Sequence, residues 1–128
     1  MKRHVCMLSL LMLVLPVISA LAHHSYAEYD RDKAVTLEGA VKNVSWVNPH
    51  VLITLQTENQ GDYMVEWGSL SQLTRQGLKP AVVKSGDHLA VTGSINRNPE
   101  KHILTLVREI HRPADGWRWA PAWSAPGK

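Results

Sequence analysis

Apolar and polar residues alternate along Val35-Thr36-Leu37-Glu38-Gly39-Ala40-Val41, and a period of two is the signature of a strand with one buried face. The phase slips at Lys42-Asn43 and resumes at Val44 and Trp46. A long strand with an internal glycine and a phase slip predicts a bulge and a sharp bend. Asn48-Pro49 ends it, because proline cannot donate to a ladder. Val51 to Thr57 reads as a second strand, Glu58-Asn59-Gln60-Gly61-Asp62 as a turn, and Tyr63, Val65 and Trp67 alternate in a third strand. After Gly68, Ser69 or Ser71 can cap a short helix over 70–76, and Gly77 fits its C-terminal stop. Ser85-Gly86-Asp87 is a turn. A fourth strand over 88–95 keeps Leu89, Val91 and Ile95 in phase, residues 96–100 form a loop, and a fifth strand runs from His102 to Ile110.

Three strands, a short helix and two further strands make an all-β domain. This order predicts a small five-stranded OB-like barrel with its one helix between strands 3 and 4. A three-on-two sandwich is the alternative; the bent first strand and the position of the helix favour the barrel. The segment 111–128 carries Pro113, Pro121 and Pro126 with Trp117, Trp119 and Trp123 and shows no strand or helix period. It reads as an extended tail. Its tryptophans either pack on the barrel and plug one end, or engage a partner or a membrane interface.

The start of the chain changes the picture most. Met1-Lys2-Arg3-His4 is positive, Val5 to Leu15 is almost unbroken apolar sequence, and Ala20-Leu21-Ala22 places small residues at a cleavage site. This is the pattern of a secretory signal peptide, and the apolar run is shorter than the roughly 20 residues that span a bilayer. The organisation expected is therefore a leader over 1–22, an N-terminal arm over 23–34, a barrel over 35–110 and the tail. The processed protein is expected in the periplasm or outside the cell, with no membrane span. The formal charge of +3 includes Lys2 and Arg3, so the exported domain is nearly neutral. A nearly neutral domain has no broad field to hold a polyanion, which argues against nucleic acid. The one cysteine, Cys6, lies in the leader, so the exported domain has neither disulfide nor thiolate site.

Candidate chemistry follows from the cleavage site. A cut after Ala22 makes His23 the first residue and His24 the second; a cut after Ala20 puts His23 third. A terminal histidine chelates copper with its amine and its ring nitrogen. A third-position histidine closes a square-planar site with the amine and two amides, and nitrogen-rich tetragonal sites suit Cu(II) or Ni(II). In an OB barrel, ligands meet the face of strands 2 and 3, flanked by the loops between strands 1 and 2 and between strands 4 and 5. Here those loops are Trp46-Val47-Asn48-Pro49-His50 and 96–102, each ending in a histidine. His50 and His102 are expected near one mouth, with Glu66 directed at the binding surface and Trp46, Asn48, Pro49 and Arg97 forming the binding face. The candidate metal ligands are thus His23, His24, His50, Glu66 and His102. Catalysis finds no support: there is no thiol nucleophile, no G-x-S-x-G elbow, no H-E-x-x-H and no glycine-rich phosphate loop.

His23-His24-Ser25-Tyr26, the strand from Val35 to Gly39, Trp46-Val47-Asn48-Pro49-His50 and Gly68-Ser69…Leu73…Arg75…Gly77 together resemble an uncharacterised family of short exported bacterial proteins, over roughly residues 20–110. That resemblance implies export and a compact β domain, and brings no activity with it. The chain is also loosely similar to periplasmic copper chaperones built on small OB barrels, which pair histidine and methionine with a tryptophan near Cu(I). Trp46 and His50 correspond, with Met64 the single thioether after the leader. The expectation is a non-catalytic periplasmic protein that binds copper through its N-terminal histidines. The alternatives are a protein-interaction module that uses the tail or the barrel face, and a site for a small anion or oligosaccharide at Arg97 and Lys101.

Overall fold

The computed structural model describes residues 26–124. The leader, His23 and His24 lie outside the described residues. The elements are β1 (Val35–Ser45), β2 (Leu52–Thr57), β3 (Gly61–Glu66), α1 (Leu70–Arg75), β4 (His88–Ile95), β5 (Ile103–Arg112) and β6 (Trp117–Trp119). The sheet runs β3-β2-β1-β4-β5-β6, and a parallel pairing of β3 with β5 closes the first five strands into a barrel. The OB-like barrel is thus the fold, and α1 sits between β3 and β4 as the sequence pattern requires. Ser69 caps α1 by accepting from the Gln72 N–H.

β1 makes closure possible because it serves two neighbours. Val35 to Ala40 pair with β4, and Gly39 to Ser45 pair with β2. The register on β2 shifts between Val41 and Asn43, so Lys42 is the bulged residue, where the hydrophobic phase slips. At Gly39 the two halves meet, and a Cβ there would stand 2.2 Å from the Gln56 carbonyl oxygen. Only glycine lets the bent strand approach that closely. Gly39→Ala should therefore cost about 2–3 kcal/mol, read as a lower urea midpoint at constant m-value; a loss below about 0.5 kcal/mol would mean the backbones separate without strain.

The core fills the barrel with Leu37, Val41, Ile53, Leu55, Val65, Leu89, Val91, Leu104 and Ile110, and Leu73 of α1 joins them. One end is closed by indoles. Trp67 meets Trp46, Trp117 and Trp119 edge-on at centroid distances of 5.9, 6.4 and 5.2 Å.

Two expectations are corrected here. The segment after residue 110 is not simply an extended tail: β5 continues to Arg112 and the chain turns back as β6, pairing Ile110 with Trp119 and Arg112 with Trp117. The turn is made by Gly116, at φ +74°, and by the Asp115 carboxylate, which accepts from the Trp117 N–H. Three residues are too few to show an alternation, so the sequence hides the strand. Trp117 and Trp119 belong to the plug, while Trp123 stays 71% exposed. The fifth strand begins at Ile103 because His102 adopts the left-handed conformation, φ 47°, and ends the 3-10 turn Pro99–Lys101.

Candidate metal-binding face

Alternation decides which β2 and β3 side chains leave the barrel. Ile53, Leu55, Tyr63 and Val65 belong to the core, so Leu52, Thr54, Met64 and Glu66 point outward. Met64 is exposed, as an outward residue should be, whereas Glu66 is buried at 8%. Something covers it, and the register identifies what. Glu66 stands opposite Leu52 on β2. On its other side, the parallel pairing of Val65 with Leu104, continued by one residue, sets Glu66 beside Thr105, and Thr105 pairs with Ser94. Leu104 and Val91 are core residues, so Thr105, Ser94 and Asn96 lie on the outer face. Tyr29 bridges Asn96 and therefore shares that face. Tyr29, Ser94, Asn96, Thr105 and Glu66 are all buried, and the arm is fastened to this polar row at Asn96 and to β5 at Arg108.

Within this row the Tyr29 hydroxyl and the Ser94 hydroxyl are buried and make no hydrogen bond of ordinary geometry. Burial raises the Tyr29 pKa above its usual value; the nearby Asn96 amide opposes the shift and the Glu66 and Glu28 carboxylates add to it. The phenol is therefore held neutral. Glu28 fastens the arm from the adjacent position. Its carbonyl accepts from the Arg97 N–H at 2.8 Å, and its carboxylate accepts from Asn96 Nδ2 at 3.2 Å and from Lys101 Nζ at 2.7 Å. The arm is accordingly a fixed element from Glu28 onward. Its composition hid this, because Tyr29 is one of two tyrosines in a polar stretch and its partner Asn96 is far away in sequence.

His50 follows a cis Asn48–Pro49 peptide bond. Val51 is in the core and hydrogen-bonds to Trp67 and Gly68, so His50, like Leu52, belongs to the outer phase. His50 thus lies diagonally across β2–β3 from Glu66. Its ring is half-buried, and Nδ1 is buried without a hydrogen-bond partner. Asn48 and Pro49 are exposed beside it, and Trp46 is half-buried against the core.

His102 is elsewhere. Its ring stacks on Tyr63 at 4.7 Å, and Nδ1 lies 3.2 Å from the Asp62 carbonyl. That is the Gly61 end of β3, whereas His50 lies beyond its Glu66 end. Six residues of β3 separate the two, roughly 20 Å at ~3.3 Å per residue. The expectation that both histidines share one mouth is corrected: the parallel β5 begins at Met64 and leads on toward Glu66, so His102, which precedes it, is left at the Gly61 side. Arg97 is exposed and contributes its backbone to the arm, and Lys101 is paired with Glu28, which leaves an anion site at these two residues without its lysine.

A second concavity of about 220 Å³ lies between β1 and the β2–β3 turn, lined by Glu38, Glu58, Asn59, Gln60 and His88 among others. Nothing in the sequence pattern pointed to it. Among the described residues, no three His, Cys, Asp or Glu side chains converge as metal ligands, and no helix is long and apolar enough to cross a membrane. A metal at His50 and Glu66 would need further ligands from the residues that precede Tyr26.

No curated protein matches the chain. A family model described as a family of unknown function (DUF6152) matches residues 12–105, well over half of the chain, and the protein belongs to that family.

Proposed function

We propose that the protein is a non-catalytic, exported metal-binding domain, and that its metal is copper. The observation that carries this reading is the buried, partnerless Nδ1 of His50 on the same outer face as Glu66, at the side of the barrel over which the arm lies. Buried polar atoms are normally hydrogen-bonded, and an imidazole nitrogen without a donor or acceptor is a ligand position in waiting. In this proposal, removal of the leader after Ala22 frees the amine of His23, which chelates Cu(II) together with its own ring. His24 and His50 supply further nitrogens, and Glu66 balances charge. A nitrogen-rich set suits the tetragonal preference of Cu(II). Because imidazole and amine ligands must be deprotonated, binding weakens as the pH falls.

The test is intact mass spectrometry of the exported, processed protein with and without one equivalent of Cu(II), followed by a competition titration. A chain beginning at His23 that retains one copper through desalting supports the proposal. Replacing His23 and His24 together by alanine should then weaken Cu(II) binding by about 100-fold; unchanged affinity would sink it. The competing reading, a protein-interaction module, has one observation in its favour, the exposed indole of Trp123.

A further inference from the structure

We propose that the Asp115–Gly116 step is a self-modification site, held inert by Arg112 in the closed β5–β6 hairpin and converted to isoaspartate when β6 leaves β5. The sequence contains one Asp-Gly step and no Asn-Gly step. Glycine has no side chain to shield its peptide nitrogen, so an aspartyl carboxyl just before it is the one most open to attack. Here no atom lies within 4 Å of where a Gly116 Cβ would stand, and the Asp115 side chain is 54% exposed. The reaction needs no partner but water. The Gly116 nitrogen bonds to Asp115 Cγ, a Cγ–O bond breaks, and the oxygen departs as water with the amide proton and the carboxyl proton. Water then opens the succinimide at the former main-chain carbonyl, so that the chain runs on through Cγ with no net change of mass.

In the closed hairpin both reacting groups are engaged. The Gly116 N–H donates to the Arg112 carbonyl at 3.0 Å. Arg112 Nε donates to both Asp115 oxygens, Arg112 Nη2 donates to Oδ2 at 2.9 Å, and the Trp117 N–H donates to Oδ1 at 3.1 Å. Forked, charge-assisted bonds of this kind are the strong ones. They hold the carboxylate ionised, with no proton to carry its oxygen away as water. The guanidinium is itself fixed, because Nη1 donates to the Val82 carbonyl and to Asp87. Among the described residues, β6 is three residues long and pairs with β5 alone, so the hairpin is free to open locally while the barrel stays closed. After conversion the main chain through the turn is one carbon longer. The partners Ile110–Trp119 and Arg112–Trp117 no longer fit across it, and Trp117 and Trp119 leave their edge-on contacts with Trp67. Conversion therefore unplugs one end of the barrel irreversibly.

The experiment ages the processed full-length protein at neutral pH, warm but below its unfolding transition, and reads isoaspartate at position 115 by methyltransferase labelling and peptide mapping. Wild type should accumulate it far more slowly than a peptide of residues 111–120. Arg112→Met should accumulate it at least about tenfold faster than wild type, because the hairpin then opens locally, and its near-UV indole signal should fade with ageing. Gly39→Ala, which weakens the barrel away from the hairpin, should stay close to the wild-type rate. Asp115→Glu, whose extra methylene disfavours ring closure, should show no isomerised product. A wild-type rate equal to that of the peptide would overturn the proposal, as would an Arg112→Met rate no higher than that of wild type. Equal rates for Gly39→Ala and Arg112→Met would also overturn it, since conversion would then follow global unfolding and owe nothing to Arg112.

Discussion

Trp67→Ala is expected to cost about 3–5 kcal/mol, the largest loss of any single substitution in the barrel. Trp67 is 6% exposed and stands at the centre of the indole plug, touching Trp46, Trp117 and Trp119. Its removal leaves a void that three tryptophans from separate segments must collapse to fill. Two of them sit on β6, which pairs only with β5, so the cost includes the docking of that short strand. Trp67→Phe should be much milder, about 1–2 kcal/mol, because Trp67 Nε1 is buried without a partner and no hydrogen bond is lost. Urea unfolding followed by circular dichroism measures both, and the near-UV signal of the coupled indoles should collapse in the alanine variant. A loss below about 1 kcal/mol for Trp67→Ala would show that the plug decorates the barrel without supporting it.

Arg112→Met should cost about 3 kcal/mol. Arg112 and Asp87 form the most buried ion pair among the described residues, at 2.9 Å with side chains 16% and 11% exposed. The same guanidinium donates to the Val82 carbonyl at 2.7 Å, takes both oxygens of Asp115, and lies over the Trp117 ring at 5.3 Å. Methionine keeps the length of the stem and strands a buried carboxylate. Adding Asp87→Asn should recover part of the loss, which a double-mutant cycle would read as coupling. Arg112 also carries a pH signature, through Asp115. Arg112 holds the Asp115 carboxyl below its usual value, through its hydrogen bonds first and the Trp117 N–H second. A lowered folded-state pKa contributes stability above the unfolded value and loses it as the pH falls through the folded one. Wild-type stability should therefore decline more steeply below about pH 4 than that of Arg112→Met. Parallel acid limbs would mean that Asp115 contributes nothing through Arg112.

The barrel was legible in the sequence because its determinants are local. The bulge at Lys42 appears as a slipped phase, the close approach at Gly39 as a glycine inside an alternating strand, and α1 as a serine cap and a glycine stop. β4 was found at its full extent for the same reason. β6 was hidden because its stability comes from Trp67 and Arg112, residues distant in sequence, and three positions carry no period. At the site, alternation correctly turned Glu66 outward and left His50 at the end of a proline-fixed loop. It could not reveal that Tyr29 is buried on the same face, since a bridge to Asn96 leaves no mark on either segment alone. It also joined His50 to His102, because loop order along the chain does not say at which end of a strand each loop arrives; the parallel pairing of β3 with β5 decides that.

That parallel pairing is the shortest in the barrel, with register partners only at Met64–Ile103 and Val65–Leu104. With so few partners to offset the closing of a long loop, it is the natural place for the ring to open. The Tyr29 arm is fastened close to this seam, at Asn96 just after β4 and at Arg108 of β5, and the Tyr29 phenol feels the Glu66 carboxylate of β3. Whatever holds the arm against Asn96 and Arg108 therefore also braces β4 and β5 beside the seam, so the stability of the ring and the docking of the arm rise and fall together.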